Sequence, residues 1–198
     1  MGFGLAGLAL AAEPPPAKVV CVFCGSSDSV DPKYLAAATH VGEGLAERGW
    51  TLLFGGGKSG LMGAVARGAK SRGGRIVSVR PELLEKRAGM FEGVDEALSV
   101  QTLAERKALF QQRADAFVVL PGGSGTLDEL ADTLEAGQLK LIAKPVVIFN
   151  QDGYYDELLA FFERSIREKF ARDGLRSGYA VAKSTDEVFV QLATPAKK

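Results

Sequence analysis

The sequence predicts an open, doubly wound α/β domain, in which a parallel sheet carries helices on both faces. Short apolar runs alternate with amphipathic segments of helical periodicity from residue 18 onward, a pattern typical of parallel strands joined by helices. Three of the apolar runs end in loops rich in glycine and serine, at the strand ends where such sheets bind ligands. The length of 198 residues, 46% of them hydrophobic, fits one domain with a sizeable core.

Seven strands are expected from short runs that are apolar almost throughout. A continuous apolar run indicates a strand that is covered on both faces of the sheet. Residues 81–93 show no clear pattern. The expected strands are residues 19–24, 51–54, 75–79, 98–100, 116–120, 146–149 and 179–181.

Helices are expected between these strands, where apolar residues recur every three or four positions. The first one shows the pattern clearly, with Tyr34, Leu35, Val41 and Leu45 at helical spacing. The expected helices are residues 32–48, 59–71, 103–114, 126–139 and 154–170, and a terminal helix from 186.

The domain is expected to span residues 17–198, preceded by an extension of residues 1–16. Residues 3–12 are apolar and are followed by Glu13 and three prolines. About ten residues are too few to span a bilayer, and no lysine or arginine precedes them as it would in a secretory signal. We therefore expect a poorly ordered extension and a cytoplasmic protein without membrane association, and export is the alternative.

The charge balance argues against a nucleic-acid-binding protein. Lysine plus arginine number 24, aspartate plus glutamate also number 24, and the formal net charge is zero. Proteins that bind nucleic acid normally carry a basic excess that pairs with phosphates. We therefore expect no nucleic-acid partner.

Cys21 and Cys24 form a C-x-x-C spacing, which raises the question of a redox or zinc site. Both lie in the first apolar run, where residues three positions apart point to opposite faces of a strand. A zinc site needs about four ligands, and His40 is the only histidine. We expect two structural core cysteines, no metal site and a reducing compartment.

The loop at residues 55–60 satisfies the dinucleotide fingerprint G-x-G-x-x-G after a strand and before a helix. The fingerprint also requires an acidic residue about twenty positions later, at the end of the next strand. Glu82 is near that place, but it follows Pro81 beyond the expected strand. A nicotinamide-dependent oxidoreductase is therefore a weak alternative.

The loop at residues 121–126 is the strongest candidate for binding a phosphate. Its glycines allow close approach of the backbone, and Thr126 is expected to open a helix whose free N–H groups attract an anion. Glu129 follows three residues after Thr126, which also fits a capping box. Both interpretations of Glu129 stay open at this point: a helix cap, or an acid that faces a developing positive charge.

Arg106 is a second candidate, on the helix expected at 103–114. Leu103 and Phe110 are expected to mark the apolar side of that helix, and Arg106 lies about 60° from it at 100° per residue. An arginine beside the buried side either serves a site or extends its stem over the core with its head group in water.

The segment 120–129, Leu-Pro-Gly-Gly-Ser-Gly-Thr-Leu-Asp-Glu, resembles the P-G-G-x-G-T-x-x-E signature of the LOG family. These are the cytokinin riboside 5′-monophosphate phosphoribohydrolases, which are often mislabelled as lysine decarboxylases. The resemblance extends over nearly the whole chain from Val19. Further matches follow in the same order: Cys-Gly-Ser-Ser at 24–27, Gly-Gly-Gly at 55–57 with Gly-Leu-Met-Gly at 60–63, Glu-Arg-Lys at 105–107 and Asp-Gly-Tyr-Tyr at 152–155.

This resemblance implies a Rossmann-like fold and hydrolysis of the N-glycosidic bond of a purine or cytokinin nucleoside 5′-monophosphate, which releases free base and ribose 5-phosphate. It places Arg106 and Glu129 in the catalytic positions, requires no cofactor and implies a homodimer. The substrate- and phosphate-binding positions are Gly25, Ser26, Gly56, Gly57, Lys107, Gly122, Gly123, Ser124, Gly125 and Thr126.

The chain departs from the family pattern at positions outside the phosphate and ribose machinery. Residues 102–104 are Thr-Leu-Ala where D-M-H is common, Ala136 stands where tryptophan is frequent, and Arg87 replaces an expected glutamate. The base is therefore open between an isopentenyl-type cytokinin and adenine or another purine.

The alternative function is a carrier of a phosphorylated ligand such as the molybdenum cofactor, because carriers of this kind are similar in loop architecture. The presence of both Arg106 and Glu129 argues against this alternative, since a carrier that turns nothing over has no evident need for the pair.

Overall fold

The computed structural model describes residues 17–82 and 89–193. The extension expected at residues 1–16, and Arg87, lie outside the described residues.

All seven predicted strands are present in one sheet, in which every neighbouring pair is parallel. The strand order is β4-β3-β2-β1-β5-β6-β7. Glu96 begins β4 two residues earlier than predicted, because this edge strand alternates between half-buried and exposed residues and so lacks a continuous apolar run. The strands are β1 (Val19–Phe23), β2 (Thr51–Phe54), β3 (Ile76–Pro81), β4 (Glu96–Val100), β5 (Ala116–Val119), β6 (Val146–Phe149) and β7 (Ala180–Ala182).

Helices connect the strands and cover the sheet. A 3₁₀ turn at Gln151–Gly153 precedes the fifth helix. This helix ends at Arg167, three residues earlier than predicted, and Lys169 has a φ of 65° that helical backbone does not allow. The described α-helices are α1 (Pro32–Glu47), α2 (Gly60–Ser71), α3 (Leu103–Arg113), α4 (Ser124–Gln138), α5 (Asp156–Arg167), α6 (Gly174–Ser177) and α7 (Thr185–Ala193).

The sheet separates two apolar cores, as expected for a domain that is wound on both faces. Helices α1, α2 and α7 pack on one face, and α3, α4, α5 and α6 pack on the other. Cys24 belongs to the first core and Cys21 to the second, so the prediction that they face opposite sides is confirmed. Both cysteines are free and buried.

The strand order reverses between β1 and β5, and this switch point positions the candidate site. Strands β2 to β4 extend outward on one side of β1, and the chain then returns to place β5 on the other side. The loops after β1 and β5 therefore adjoin, and the Gly25 backbone N–H donates to the Pro121 carbonyl oxygen at 3.0 Å. Ligands of open α/β sheets bind at such a crevice. In the described part of the chain, no helix is both long and apolar enough to cross a membrane.

Candidate active site

The loop after β5 presents the open amino end of α4 at this crevice. The helix begins at Ser124 with Gly123 as its N-cap residue, and no side chain caps it. Its first N–H groups therefore lack intrahelical acceptors, and its first turn contains no acidic residue. Gly123, Ser124 and Gly125 are exposed. The loop is thus an exposed cradle of N–H donors that suits an anion such as phosphate.

The structure excludes the capping-box interpretation of Thr126 and Glu129 and leaves the interpretation of Glu129 as a functional acid. Because α4 begins two residues earlier than expected, Thr126 is its third residue and Glu129 its sixth, beyond the reach of a cap. The backbone of the glycine loop already takes helical form at Ser124, which a capping pattern does not reveal. A capping box does exist at α3, between Thr102 and Glu105. The Glu129 side chain is therefore available for another role.

Glu129 lies beside Arg106, on the helix that begins at the cradle. Arg106 Nη2 and Glu129 Oε1 are 3.3 Å apart, and only 11% and 8% of the two side chains are exposed. Burial raises the pKa of Glu129 to about 7, and the positive charge of Arg106 opposes that rise. Glu129 therefore changes its charge near neutral pH, as groups that perform acid–base or electrostatic catalysis often do.

Arg106 is directed into the protein by the inner side of α3. It is buried together with Phe110, and its Cζ lies 5.0 Å from the Phe110 ring centroid. The prediction that Leu103 marks the apolar side is wrong, since Leu103 is 54% exposed at the start of the helix. Arg106 Nε has no hydrogen-bond partner among residues 17–82 and 89–193. An unpaired buried donor is costly and is available to a ligand.

Two tyrosines that follow β6 support the cradle through hydrogen bonds to backbone carbonyls. Tyr154 donates its hydroxyl hydrogen to the Gly122 carbonyl at 2.8 Å, and Tyr155 donates to the Leu120 carbonyl at 2.8 Å. Gly122 itself has no room for a side chain, because a Cβ there would lie 2.1 Å from Thr126 Oγ1 and 2.9 Å from the Gly25 nitrogen. The loop is therefore held in a defined shape before any ligand binds.

The loops after β1 and β2 pack against each other at the same edge. The Met62 N–H donates to the Gly25 carbonyl at 3.3 Å, and Gly60 has a φ of +57° with no room for a Cβ beside Ser26. Gly56 also has a positive φ, of +82°, and lies against Arg80. The structure thus brings the predicted residues of all three loops to one edge of the sheet: Gly25, Ser26, Gly56, Gly57 and 122–126.

Lys107 is placed differently from the other predicted residues. Its Nζ pairs with Asp128 Oδ1 at 2.9 Å and Asp132 Oδ1 at 3.3 Å, both on α4. The hydrogen bond to Asp128 is the main reason that the pKa of Lys107 is raised. Lys107 therefore connects α3 to α4 and stabilises the arrangement of the two helices that carry Arg106 and Glu129.

Sequence reasoning missed three residues of this region: Gly55, Tyr154 and Tyr155. Gly55 lies against the Arg106 guanidinium, and one signal could have found it, since it is the first glycine of a Gly-Gly-Gly run directly after a strand. The tyrosines were noted only as part of a family resemblance, because no local pattern ties them to a loop that precedes them by some thirty residues.

The chain matches one family model and resembles curated plant proteins over most of its length. The family model described as "Possible lysine decarboxylase" matches residues 62–192. A probable cytokinin riboside 5′-monophosphate phosphoribohydrolase of Oryza sativa subsp. japonica is 40% identical over 173 residues, which cover 87% of this chain and 70% of that protein. A cytokinin riboside 5′-monophosphate phosphoribohydrolase of Arabidopsis thaliana is 39% identical over 175 residues, which cover 88% and 81% of the two chains.

Solved structures with the same fold include carriers of a cofactor. The molybdenum cofactor binding protein of Rippkaea orientalis superposes with a TM-score of 0.70 at 24% identity, over 91% of this chain and 100% of that one. The molybdenum cofactor carrier protein of Chlamydomonas reinhardtii gives a TM-score of 0.68 at 25% identity, over 90% and 99%. These similarities confirm the Rossmann-like fold. With about 40% identity to curated phosphoribohydrolases over most of its length, the chain belongs to the LOG family.

Proposed function

We propose that this protein hydrolyses the N-glycosidic bond of a purine or cytokinin nucleoside 5′-monophosphate and releases free base and ribose 5-phosphate. The observation that carries the proposal is the buried Arg106–Glu129 pair, 3.3 Å apart, next to an exposed helix amino end with no acidic residue in its first turn. The similarity to curated phosphoribohydrolases supports the same reaction class.

Each part of the site has a chemical task in this reaction. Departure of the base leaves positive charge on the ribose, which the Glu129 carboxylate stabilises while it orients the attacking water. The water oxygen bonds to the anomeric carbon, the bond to the base nitrogen breaks, and the water proton balances the charge of the departing base. Arg106 holds the substrate and stabilises the departing base.

The cradle at residues 122–126 binds the 5′-phosphate and so fixes the ribose relative to Glu129. Ser26, Gly56 and Gly57 line the same edge of the sheet and complete the nucleotide site. The proposal involves no cofactor or metal ion, because each step uses a protein side chain or water.

We place the protein in the cytoplasm as a homodimer. The support for a second copy is the apolar surface on α4 and directly after it, where Leu127, Leu139 and Leu141 are 44%, 56% and 73% exposed. Burial of such side chains between two copies would remove them from water.

A second candidate is a carrier of the molybdenum cofactor, favoured by the similarity to the solved carrier of Chlamydomonas reinhardtii. The same cradle would bind the phosphate of the cofactor, and no bond would be broken. The buried Glu129 argues against the carrier function. A carboxylate near a bound phosphate repels the phosphate and weakens its binding. A hydrolase gains a catalytic group in return, whereas a carrier gains nothing.

A chromatographic assay with three compounds distinguishes these functions. Purified protein is incubated with AMP, isopentenyladenosine monophosphate and unphosphorylated adenosine. The hydrolase releases free base from at least one monophosphate and not from the nucleoside, and the ratio between the two monophosphates gives the base preference. If the folded protein releases no base from any of the three compounds and binds a phosphorylated pterin, it is the carrier.

A further inference from the structure

Gly55 is the first residue after β2, at the edge of the sheet that carries the candidate site. Gly56 has a positive φ, whereas Gly55 does not, so the conformational freedom of glycine does not account for this residue. Space accounts for it. A Cβ placed on Gly55 would lie 2.1 Å from Nη2 and 3.3 Å from Cζ of Arg106. Any other amino acid at this position would collide with the Arg106 guanidinium.

The colliding atom is the one that reaches Glu129. Arg106 Nη2 is 3.3 Å from Glu129 Oε1, so a displacement of Nη2 directly alters the pair. The guanidinium is enclosed, because its side chain is only 11% exposed and its Cζ lies 5.0 Å from the Phe110 ring centroid.

Packing holds the guanidinium in place more than hydrogen bonds do. Arg106 Nε has no hydrogen-bond partner in the described part of the chain, and Glu129 is the partner of Nη2 in an ion pair. The shape of the surrounding backbone therefore decides where the head group lies.

We propose that Gly55 is a positioning residue: its missing side chain lets the Arg106 guanidinium lie against the backbone after β2, which holds Nη2 within reach of Glu129. The role in catalysis rests on the function proposed above. The phosphate cradle lies on another loop, at residues 122–126, so a change at Gly55 acts on the Arg106–Glu129 pair and leaves phosphate binding intact.

The first test is Gly55→Ala, with Gly137→Ala on α4 as the matched control. A Cβ at Gly137 meets no atom within 4 Å, so this control adds the same methyl group without a collision. We expect kcat for base release to fall on the order of 100-fold in Gly55→Ala, as displacements of about 1 Å in a site often cause. KM should change far less than kcat, because the cradle still binds the 5′-phosphate even where the displaced Arg106 holds the substrate less well. Gly137→Ala should match the wild type in both.

A second test does not depend on turnover. The Glu129 carboxyl is titrated by ¹³C NMR in the wild type, Gly55→Ala, Arg106→Ala and the double variant. Arg106 lowers the pKa of Glu129, so its displacement or removal should raise the measured value. Because Gly55 acts through Arg106, the pKa of Glu129 in the double variant should equal its pKa in Arg106→Ala alone. The proposal is overturned if the pKa of Glu129 in Gly55→Ala equals the wild-type pKa while the pKa in Arg106→Ala differs from it.

Thermal unfolding covers the case in which Gly55→Ala is poorly folded. If the methyl group collides with Arg106, removal of that side chain should relieve the collision, and the double variant should recover the Tm of Arg106→Ala. A double variant as unstable as Gly55→Ala would overturn the proposal. A wild type that releases no base would refute the proposed reaction, and the NMR and Tm comparisons would still decide the role of Gly55.

Discussion

The ionisation of Glu129 should make the stability of this protein depend on pH in a defined direction. Burial raises the pKa of Glu129 from 4.5 to about 7, because the ionised carboxylate loses its hydration inside the protein. A group whose pKa is higher in the folded state stabilises the fold below its unfolded pKa. That contribution is lost as the pH rises through the folded pKa. The loss therefore falls between about pH 4.5 and about pH 7.

The magnitude follows from the size of the shift. Each pKa unit corresponds to about 1.4 kcal/mol, so the rise from 4.5 to about 7 corresponds to about 3 kcal/mol. Glu129→Gln has nearly the same size, keeps an oxygen beside Arg106, and does not titrate. As the pH rises, the wild type should therefore lose about 3 kcal/mol of unfolding free energy relative to this variant.

The assay is urea unfolding of both proteins at several pH values from about 4.5 to about 8. Glu135→Gln, which changes an exposed carboxyl of the same helix, is the control for the effect of replacing any glutamate of this helix by glutamine. A difference between the wild type and Glu129→Gln that stays constant across this range would refute the reasoning that burial governs Glu129.

Three further predictions concern the same site. The value of kcat/KM should fall about tenfold per pH unit below about pH 7, because Glu129 acts as a carboxylate and its pKa in the free enzyme is about 7; a fall above that pH instead would assign it as a general acid. Tyr154→Phe removes the 2.8 Å hydrogen bond to the Gly122 carbonyl and should raise KM several-fold with kcat little changed, so an unchanged KM would show that the cradle does not need this support. Gly122→Ala forces a Cβ to within 2.1 Å of Thr126 Oγ1 and should lower the free energy of unfolding by about 1–3 kcal/mol. In contrast, Gly123→Ala, with no atom within 4 Å of its Cβ, should cost only about 0.5 kcal/mol, because alanine is a poorer N-cap residue than glycine; equal stability of these two variants would contradict the geometry.

The fold was predictable because most strands are buried on both faces. Thr51–Phe54 is buried at every residue, and its boundaries match the prediction. The edge strand Glu96–Val100 was predicted two residues short, since an exposed edge tolerates charged residues such as Glu96 within the strand. Continuous apolar runs therefore identify central strands well and edge strands poorly.

The candidate site was only partly predictable. Local pattern left Glu129 open between a helix cap and a functional acid, and the start of α4 at Ser124 excludes the cap. Helical periodicity placed Arg106 beside an apolar side that included Leu103, although tertiary packing leaves Leu103 exposed and buries Arg106. The pairing of Arg106 with Glu129 joins two helices that are separated by β5, and no spacing rule foresees such a contact.

The most direct test of the proposed function measures release of free base from a nucleoside 5′-monophosphate by the wild type, Arg106→Ala and Glu129→Ala. Circular dichroism and thermal unfolding first establish that all three proteins are folded. We expect the wild type to form free base and ribose 5-phosphate in equal amounts, and each variant to lose activity on the order of 100-fold or more. Undiminished turnover in both variants would contradict the assignment of the buried pair as the catalytic centre.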